Sequence, residues 1–415
     1  MGYFNRPADV QNSCTRHSPF TNTGAAAMSQ IVVFSGHMID SASRAEARFP
    51  QHTAAAIGQR IAAEVDALGV GEAYGCAACG GDILFLEAVL ARGGRVHIVL
   101  PCAVEEFRQV SVDFLAGSDW GQRFEAVMAK ASSIEILADQ YAEDNGMAHE
   151  CCNRVMVGLA AMKAAEQGGQ PTLLALWNGK PGDGLGGTYS MVQFCRARGF
   201  RIRLMRDLEP DARSESRDLP AVPTAALPSS AASAEPAQHI CALVFADAVG
   251  FSKLRERQLP VFARHYLGGI MQVLAARECV PLVKNTWGDG LYLVFATMRE
   301  AGLFALDFQL LIAATDWKAL GLPEGFSARI GIHAGPVYKI YDPVLGQWNY
   351  IGSHVTRAAR IEPTVPKGEV YASRAFAALA TAERVREFRC EAVGTIELVK
   401  GYGAMPAYRL QSTAM

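Results

Sequence analysis

Leu243-Val-Phe-Ala-Asp247-Ala-Val-Gly250-Phe251-Ser252 decides how the second half of this 415-residue chain is read. An apolar run ends in an aspartate and a glycine follows, the pattern of a strand that meets a tight turn. Further on, Asn285-Thr-Trp-Gly288-Asp289-Gly290-Leu291 pairs acid and glycine again. Two carboxylates at neighbouring strand ends, with glycines that let backbone amides approach a ligand, suit two divalent cations and a triphosphate.

Working outward, the order reads strand 240–246, helix 261–276, a hairpin of 280–284 and 291–295, helix 301–315 and strand 328–334. A loop-rich excursion is expected up to Tyr350. Helix 354–361, strand 369–372, a short helix near Phe376 and two late strands follow. Strands and helices in this order, with a hairpin replacing one crossover, predict an α+β sandwich of the ferredoxin-like type.

Three more segments complete a set of spaced motifs. They are Ala328-Arg329-Ile-Gly331-Ile332-His333-Ala334-Gly335-Pro336, then Gly352-Ser-His-Val355-Thr356-Arg357-Ala358-Ala359-Arg360, then Leu398-Val399-Lys400-Gly401-Tyr402-Gly403. With the two acidic stretches, they resemble the catalytic domain of class III nucleotidyl cyclases, the adenylyl and guanylyl cyclase family, from about Ile240 to Leu410. The resemblance implies that Asp247 and Asp289, with Ala248 counted beside them, hold two Mg²⁺ or Mn²⁺ per active site. One ion would acidify the ribose 3′-hydroxyl and the other bridge the triphosphate, so that the 3′-oxygen attacks the α-phosphorus and pyrophosphate leaves. Amides of Val249, Gly250, Phe251 and Ser252 are expected to receive phosphates, because they are read as opening the next helix.

By the same resemblance, Arg360 steadies charge on the pentavalent phosphorus and Lys400 contacts the triphosphate. Thr356 stands where the family carries an asparagine that orients the ribose; its shorter reach implies slower turnover. Thr356 and Arg360 are four apart and share a helical face. His333 is expected to pack or hydrogen-bond inside the sheet instead of binding metal. Family specificity rests on the positions of Asn285 and Asn349. Adenylyl members carry lysine and aspartate there, guanylyl members glutamate and usually cysteine. Two amides fit neither pattern, so ATP leads on family frequency, with GTP or a pyrimidine triphosphate left open. Lys284, beside Asn285, should point to the other face of its strand. Family members take the acids from one subunit and the helix arginine from the other, which implies a homodimer with two shared sites.

Residues 30–207 alternate strands and helices, the pattern of a parallel sheet covered on both faces, a Rossmann-like α/β domain. Strand 31–34 leads into Ser35-Gly36-His37, helix 54–68 follows, and Tyr74-Gly75-Cys76-Ala77-Ala78-Cys79-Gly80-Gly81-Asp82 precedes helix 83–91 and strand 96–100. Strand 134–137, helix 153–165, strand 172–177, helix 189–197 and strand 201–205 come later. The glycine-rich turn, acid and helix resemble the SLOG group of Rossmann-like nucleotide-binding domains. Ser35, Gly36, His37, Gly80, Gly81, Asp82 and Glu87 are the ligand contacts this implies, for a nucleotide-derived molecule. The plain alternatives are a turn for the glycines, a helix cap for Asp82 and a solvated position for Glu87. The glycine-rich loop from Trp177 to Tyr189 is too long for a dinucleotide fingerprint.

Residues 1–29 read as a disordered tail, with Met28 as an alternative start, and the proline-dotted stretch 208–238 as a tether. Residues 239–412 then form the cyclase-like domain. Half the residues are apolar and the net charge is −2, so nothing points to nucleic acid. Apolar runs are broken within roughly 12 residues, too short to span a membrane. Ten cysteines, mostly in apolar stretches, suit reduced thiols in a cytoplasmic protein, and Cys76-x-x-Cys79 reads as packing beside a turn. The expectation is a cytoplasmic nucleoside-triphosphate cyclase with a ligand-sensing amino-terminal domain. A weakly catalytic cyclase-like dimer that binds nucleotide as a regulatory module is the alternative. A third reading makes the amino-terminal half itself an enzyme on nucleotide-derived substrates.

Overall fold

A computed structural model describes residues 29–44, 46–140, 146–181, 184–205 and 237–413. The tail up to residue 28 and the tether up to residue 236 lie outside the described residues.

The first sheet has six parallel strands in the order β4-β3-β2-β1-β5-β6. They are β1 (Gln30–Gly36), β2 (Val70–Gly75), β3 (Arg95–Leu100), β4 (Ser133–Ile136), β5 (Thr172–Leu176) and β6 (Arg201–Met205). The helices are α1 (Ala54–Leu68), α2 (Gly81–Ala91), α3 (Val104–Ser111), α4 (Trp120–Lys130), α5 (Met147–Glu166) and α6 (Thr188–Ala197). Alternation in β1 sets the two faces: Val32 and Phe34 join the core under α1, α2 and α4, whereas Ile31 and Val33 face α5 and α6. The strand order reverses at β1, so the crevice at the carboxyl ends of β1 and β5 is the switch point of a doubly wound sheet. Helix α1 has the expected bounds and stops because Gly69 takes the left-handed conformation at its carboxyl end (φ 62°). Strand β2 and helices α3 and α4 were not anticipated.

The second sheet runs β13-β14-β12-β10-β7-β9-β8, with β11 paired to β10. Its strands are β7 (Gln238–Val249), β8 (Val283–Trp287), β9 (Gly290–Phe295), β10 (Ser327–Asp342), β11 (Gln347–Ile351), β12 (Val370–Ser373), β13 (Phe388–Glu397) and β14 (Ala404–Ser412). Helices α7 (Leu259–Phe262), α8 (Gly268–Ala276), α9 (Met298–Ala314), α10 (Ser353–Ile361) and α11 (Arg374–Ala382) complete it. The order β8-β9-β7-β10, with α7–α8 and α9 as crossovers, is the βαββαβ ferredoxin-like arrangement, and β10–β12 adds a parallel pair. Three expectations are corrected. The helix read over 261–276 is interrupted by a π-bulge, Ala263–Leu267. The excursion before Tyr350 is the β10–β11 hairpin. Strand β7 runs on through Asp247 to Val249 and is followed by a single 3₁₀ turn, Phe251–Lys253, so Val249 to Ser252 open no α-helix.

The two halves pack together. Helix α5 lies between the first sheet and α11, and residues of α5, β1, β7, β10 and α11 belong to one apolar cluster. A helix buried on both sides is apolar nearly all round, which hides its period and explains why only 153–165 was legible. No helix among the described residues is long and apolar enough to cross a membrane.

Candidate active site

Asp247 sits near the end of β7, cross-strand from Arg329 of β10. Asp289 occupies the turn that joins β8 to β9, and β9 is the other neighbour of β7. The hairpin therefore carries Asp289 to the same end of the sheet as Asp247. Burial, and then the Asp247 charge, push the Asp289 carboxyl above its ordinary range.

Arg329 donates from Nη2 to Asp247 Oδ2 at 2.7 Å and pairs through Nε with Glu362 Oε1 at 3.0 Å. Glu362 follows α10, and burial raises its carboxyl to about 7. Gly331 makes room for it: a Cβ there would press on the backbone of Glu362 at 2.7–2.8 Å. Arg329 and Glu362 were missed as site residues. The one signal was a lone arginine inside an apolar strand run. Carboxylates held this close, with the Asp247 charge raising the proton affinity of Asp289 and Glu362, fit a divalent cation, which removes that repulsion.

The amides also converge. Asn285 of β8 donates from Nδ2 to Asn349 Oδ1 of β11 at 3.5 Å, Gln347 Nε2 donates to Asn285 Oδ1 at 3.2 Å, and Asn349 Nδ2 to Asp342 Oδ2 at 3.3 Å. Asn285 is buried while Lys284 is exposed on the opposite face of β8, as expected. On α10, Thr356 and Arg360 are half-buried, and the Arg360 guanidinium lies 5.3 Å from the centre of the Tyr402 ring. Lys400 is exposed on the adjoining turn in a left-handed conformation (φ 61°). His333 packs as expected: Nδ1 bonds Ser373 Oγ at 2.7 Å and Nε2 bonds His354 Nδ1 at 2.9 Å. Burial holds both imidazoles well below their usual range.

In the amino-terminal half, a cavity of about 840 Å³ opens at the β1/β5 switch point. Ser35, Gly36, His37 and Asp82 line it, joined by Arg44, Arg48, Asn153 and Thr188, which the sequence did not single out. Asp82 is 8% exposed, and burial lifts its carboxyl to about 7. Gly80 and Gly81 are not in the lining; Gly80 bridges to Met38 and Gly81 donates to the His37 carbonyl at 3.1 Å. Glu87 lies away from the cavity, because Arg123 of α4 holds it in a two-bond ion pair (2.5 and 2.9 Å).

No curated protein matches the chain. Among solved structures, the catalytic core of a rhodopsin-guanylyl cyclase with converted specificity, in complex with ATPαS, is 22% identical over 43% of this chain and 99% of its own, with a TM-score of 0.36. The guanylate cyclase domain of RhGC from Catenaria anguillulae, in complex with GTP, is 21% identical over 42% and 98%, TM-score 0.36. The adenylyl cyclase CyaB from P. aeruginosa is 18% identical over 43% and 97%, TM-score 0.38. The model of the adenylate and guanylate cyclase catalytic domain matches residues 233–412. Residues 233–412 are thus similar to the adenylate and guanylate cyclase catalytic domain.

Proposed function

We propose that this segment cyclises a nucleoside triphosphate, with ATP as the leading substrate and GTP or a pyrimidine triphosphate as alternatives. The 3′-hydroxyl loses its proton, the 3′-oxygen bonds to the α-phosphorus, and the bond to the β-phosphate breaks to release pyrophosphate. The carrying observation is the Asp247–Asp289 pair, one acid near the end of β7 and the other in the turn that opens the adjoining β9, set in the sheet that also joins Asn285 to Asn349. Asp247 and Asp289, with Ala248 beside them, would hold two Mg²⁺ or Mn²⁺, which supply acidification of the hydroxyl and charge compensation for the triphosphate. Thr356 donates to the ribose, Arg360 offsets charge growing on the α-phosphoryl group and Lys400 holds the triphosphate. Amides of Val249, Gly250, Phe251 and Ser252 receive phosphate as a turn, without a helix dipole. The amides of Asn285 and Asn349 read the base.

The unit that works is a homodimer. Arg360 stacks on Tyr402 while the charged neighbours of the acids are Arg329 and Glu362, which supports Arg360 serving a second copy. Trp287, Tyr341, Trp348 and Ile351 stand in water, Trp287 61% and Trp348 56% exposed, as residues awaiting that copy. Incubating the purified protein with ATP, GTP, CTP or UTP and Mn²⁺ should yield one cyclic nucleotide plus pyrophosphate. No cyclic product from any of the four would leave the regulatory nucleotide-binding module, the reading that Thr356 favours.

The amino-terminal cavity takes a nucleotide-derived ligand in this reading. Gly187 caps α6 at its rim, no side chain closes that helix end, and a Cβ on Gly187 meets open space. Gly187→Asp should therefore fold normally, since aspartate is a favoured cap. Its carboxylate occupies the amides that would hold phosphate, so AMP binding measured in EDTA should weaken at least about tenfold. Unchanged AMP affinity would remove the cavity from the proposal.

A further inference from the structure

Strand β4 is an edge strand of the first sheet with inverted patterning: Ile134 (42%) and Ile136 (38%) are the exposed residues. Glu135 turns inward, and alternate positions of an extended chain share a face. Along this one, Glu135, Leu137 and Asp139 meet the cyclase segment. Arg374 of α11 donates from Nη1 to Glu135 Oε2 at 3.0 Å. Arg357 of α10 donates from Nη1 to the Leu137 carbonyl at 3.2 Å, and its Nη2 lies 3.4 Å from Asp139 Oδ1. The Asp139 carboxylate is largely exposed, so the carbonyl bond is the firmer of the two. That carbonyl is itself anchored, because the Leu137 amide donates to the Leu100 carbonyl of β3 at 3.0 Å.

Arg357 lies between Thr356 and Arg360 on the same helix. Beside the first turn of α10 there is a cavity of about 440 Å³, with Leu137, Ala138 and Asp139 on one wall and Gly352, Ser353 and His354 on the other. Packing does not fill this gap; on that side the Arg357 guanidinium ties α10 to the amino-terminal sheet, while His354 ties the first turn of α10 to His333 of β10. We propose that Arg357 is a positioning residue, through which the edge of the amino-terminal sheet sets α10 so that Thr356 and Arg360 meet the triphosphate correctly. The amino-terminal half is then a structural part of the catalytic unit. This rests on the roles given above to Thr356 and Arg360.

The test is Arg357→Ala and Arg357→Lys in the full chain, with steady-state kinetics on the cyclised triphosphate and hydrogen exchange of α10. Groups that act on the transition state change kcat, so Arg357→Ala should lower kcat about tenfold or more with KM within about twofold. Amide exchange over residues 353–361 should accelerate. Lysine still reaches a carbonyl with one donor and should recover most of kcat and of the exchange protection. Unaltered kcat, unaltered exchange in α10, or an activity loss explained by the unfolded fraction alone would overturn the proposal. If the unaltered protein makes no cyclic product, the function falls, while the exchange measurement still decides whether Arg357 holds α10.

Discussion

Asp289→Ala is expected to lower cyclic-nucleotide formation by at least about a thousandfold, the several kcal/mol by which bound cations stabilise such a transition state. Asp289→Asn should fall as far, because the amide keeps the shape and loses the charge that holds a divalent ion. Stability should move the other way. Burial and the Asp247 charge raise the folded pKa of Asp289, so only above that raised value does the native state carry the carboxylate it disfavours. As pH rises between the two values the folded state releases its proton last, and stability declines through that window. Asp289→Asn removes this opposition and should melt no lower than the native protein in EDTA at neutral pH. Initial rates with Mn²⁺ and thermal midpoints in EDTA measure the two effects together. Activity within tenfold of native, or an inactive variant that has simply unfolded, would remove Asp289 from the chemistry.

The contrast between Asp289 and Arg329 shows what local sequence carries here. Asp289 was legible because a two-residue turn needs glycine and a polar partner beside alternating apolar strands. Arg329 has no role that its own motif could assign, since its meaning lies in a register: it stands opposite Asp247 only because β7 and β10 pair antiparallel through twelve positions. The same long-range pairing extends β7 beyond Ala246 and keeps Val249 to Ser252 from opening a helix. Strand β10 was read short because Gly331, Gly335 and Pro336 are poor strand formers, yet Pro336 is carried opposite Ile240. Helix α4 had a readable signal that went unused, with Trp120, Phe124 and Val127 buried at helical spacing. The candidate contact Glu87 failed for a different reason: Arg123, distant in sequence, claims it. The docking of the halves was invisible because the apolar stripe of α5 that meets α11 reads like any core face.

That docking yields the second large effect. Gly158 lies mid-way along α5, and a Cβ there would fall on the carbonyl oxygen of Ala378 in α11, inside any contact real atoms make. Alanine normally stabilises a helix interior over glycine by about 1 kcal/mol. At Gly158 the sign should reverse, with a net loss of roughly 2 kcal/mol, because backbone carbonyl cannot step aside as a side chain can and overpacking costs about 1–3 kcal/mol or more. Gly58 in α1 supplies the comparison: its added Cβ would meet only Leu84 Cδ2 at 3.2 Å, the movable end of a side chain. Gly58→Ala should therefore be neutral or mildly stabilising in urea unfolding. Wedging α5 from α11 also displaces Arg374, the first residue of α11, from Glu135, so Gly158→Ala should slow cyclisation even where it remains folded. Two separated transitions in place of one would mean that the halves unfold independently once parted. A Gly158→Ala protein as stable as Gly58→Ala would mean that the helices do not meet this closely, and the link from the amino-terminal sheet to α10 would lose its support.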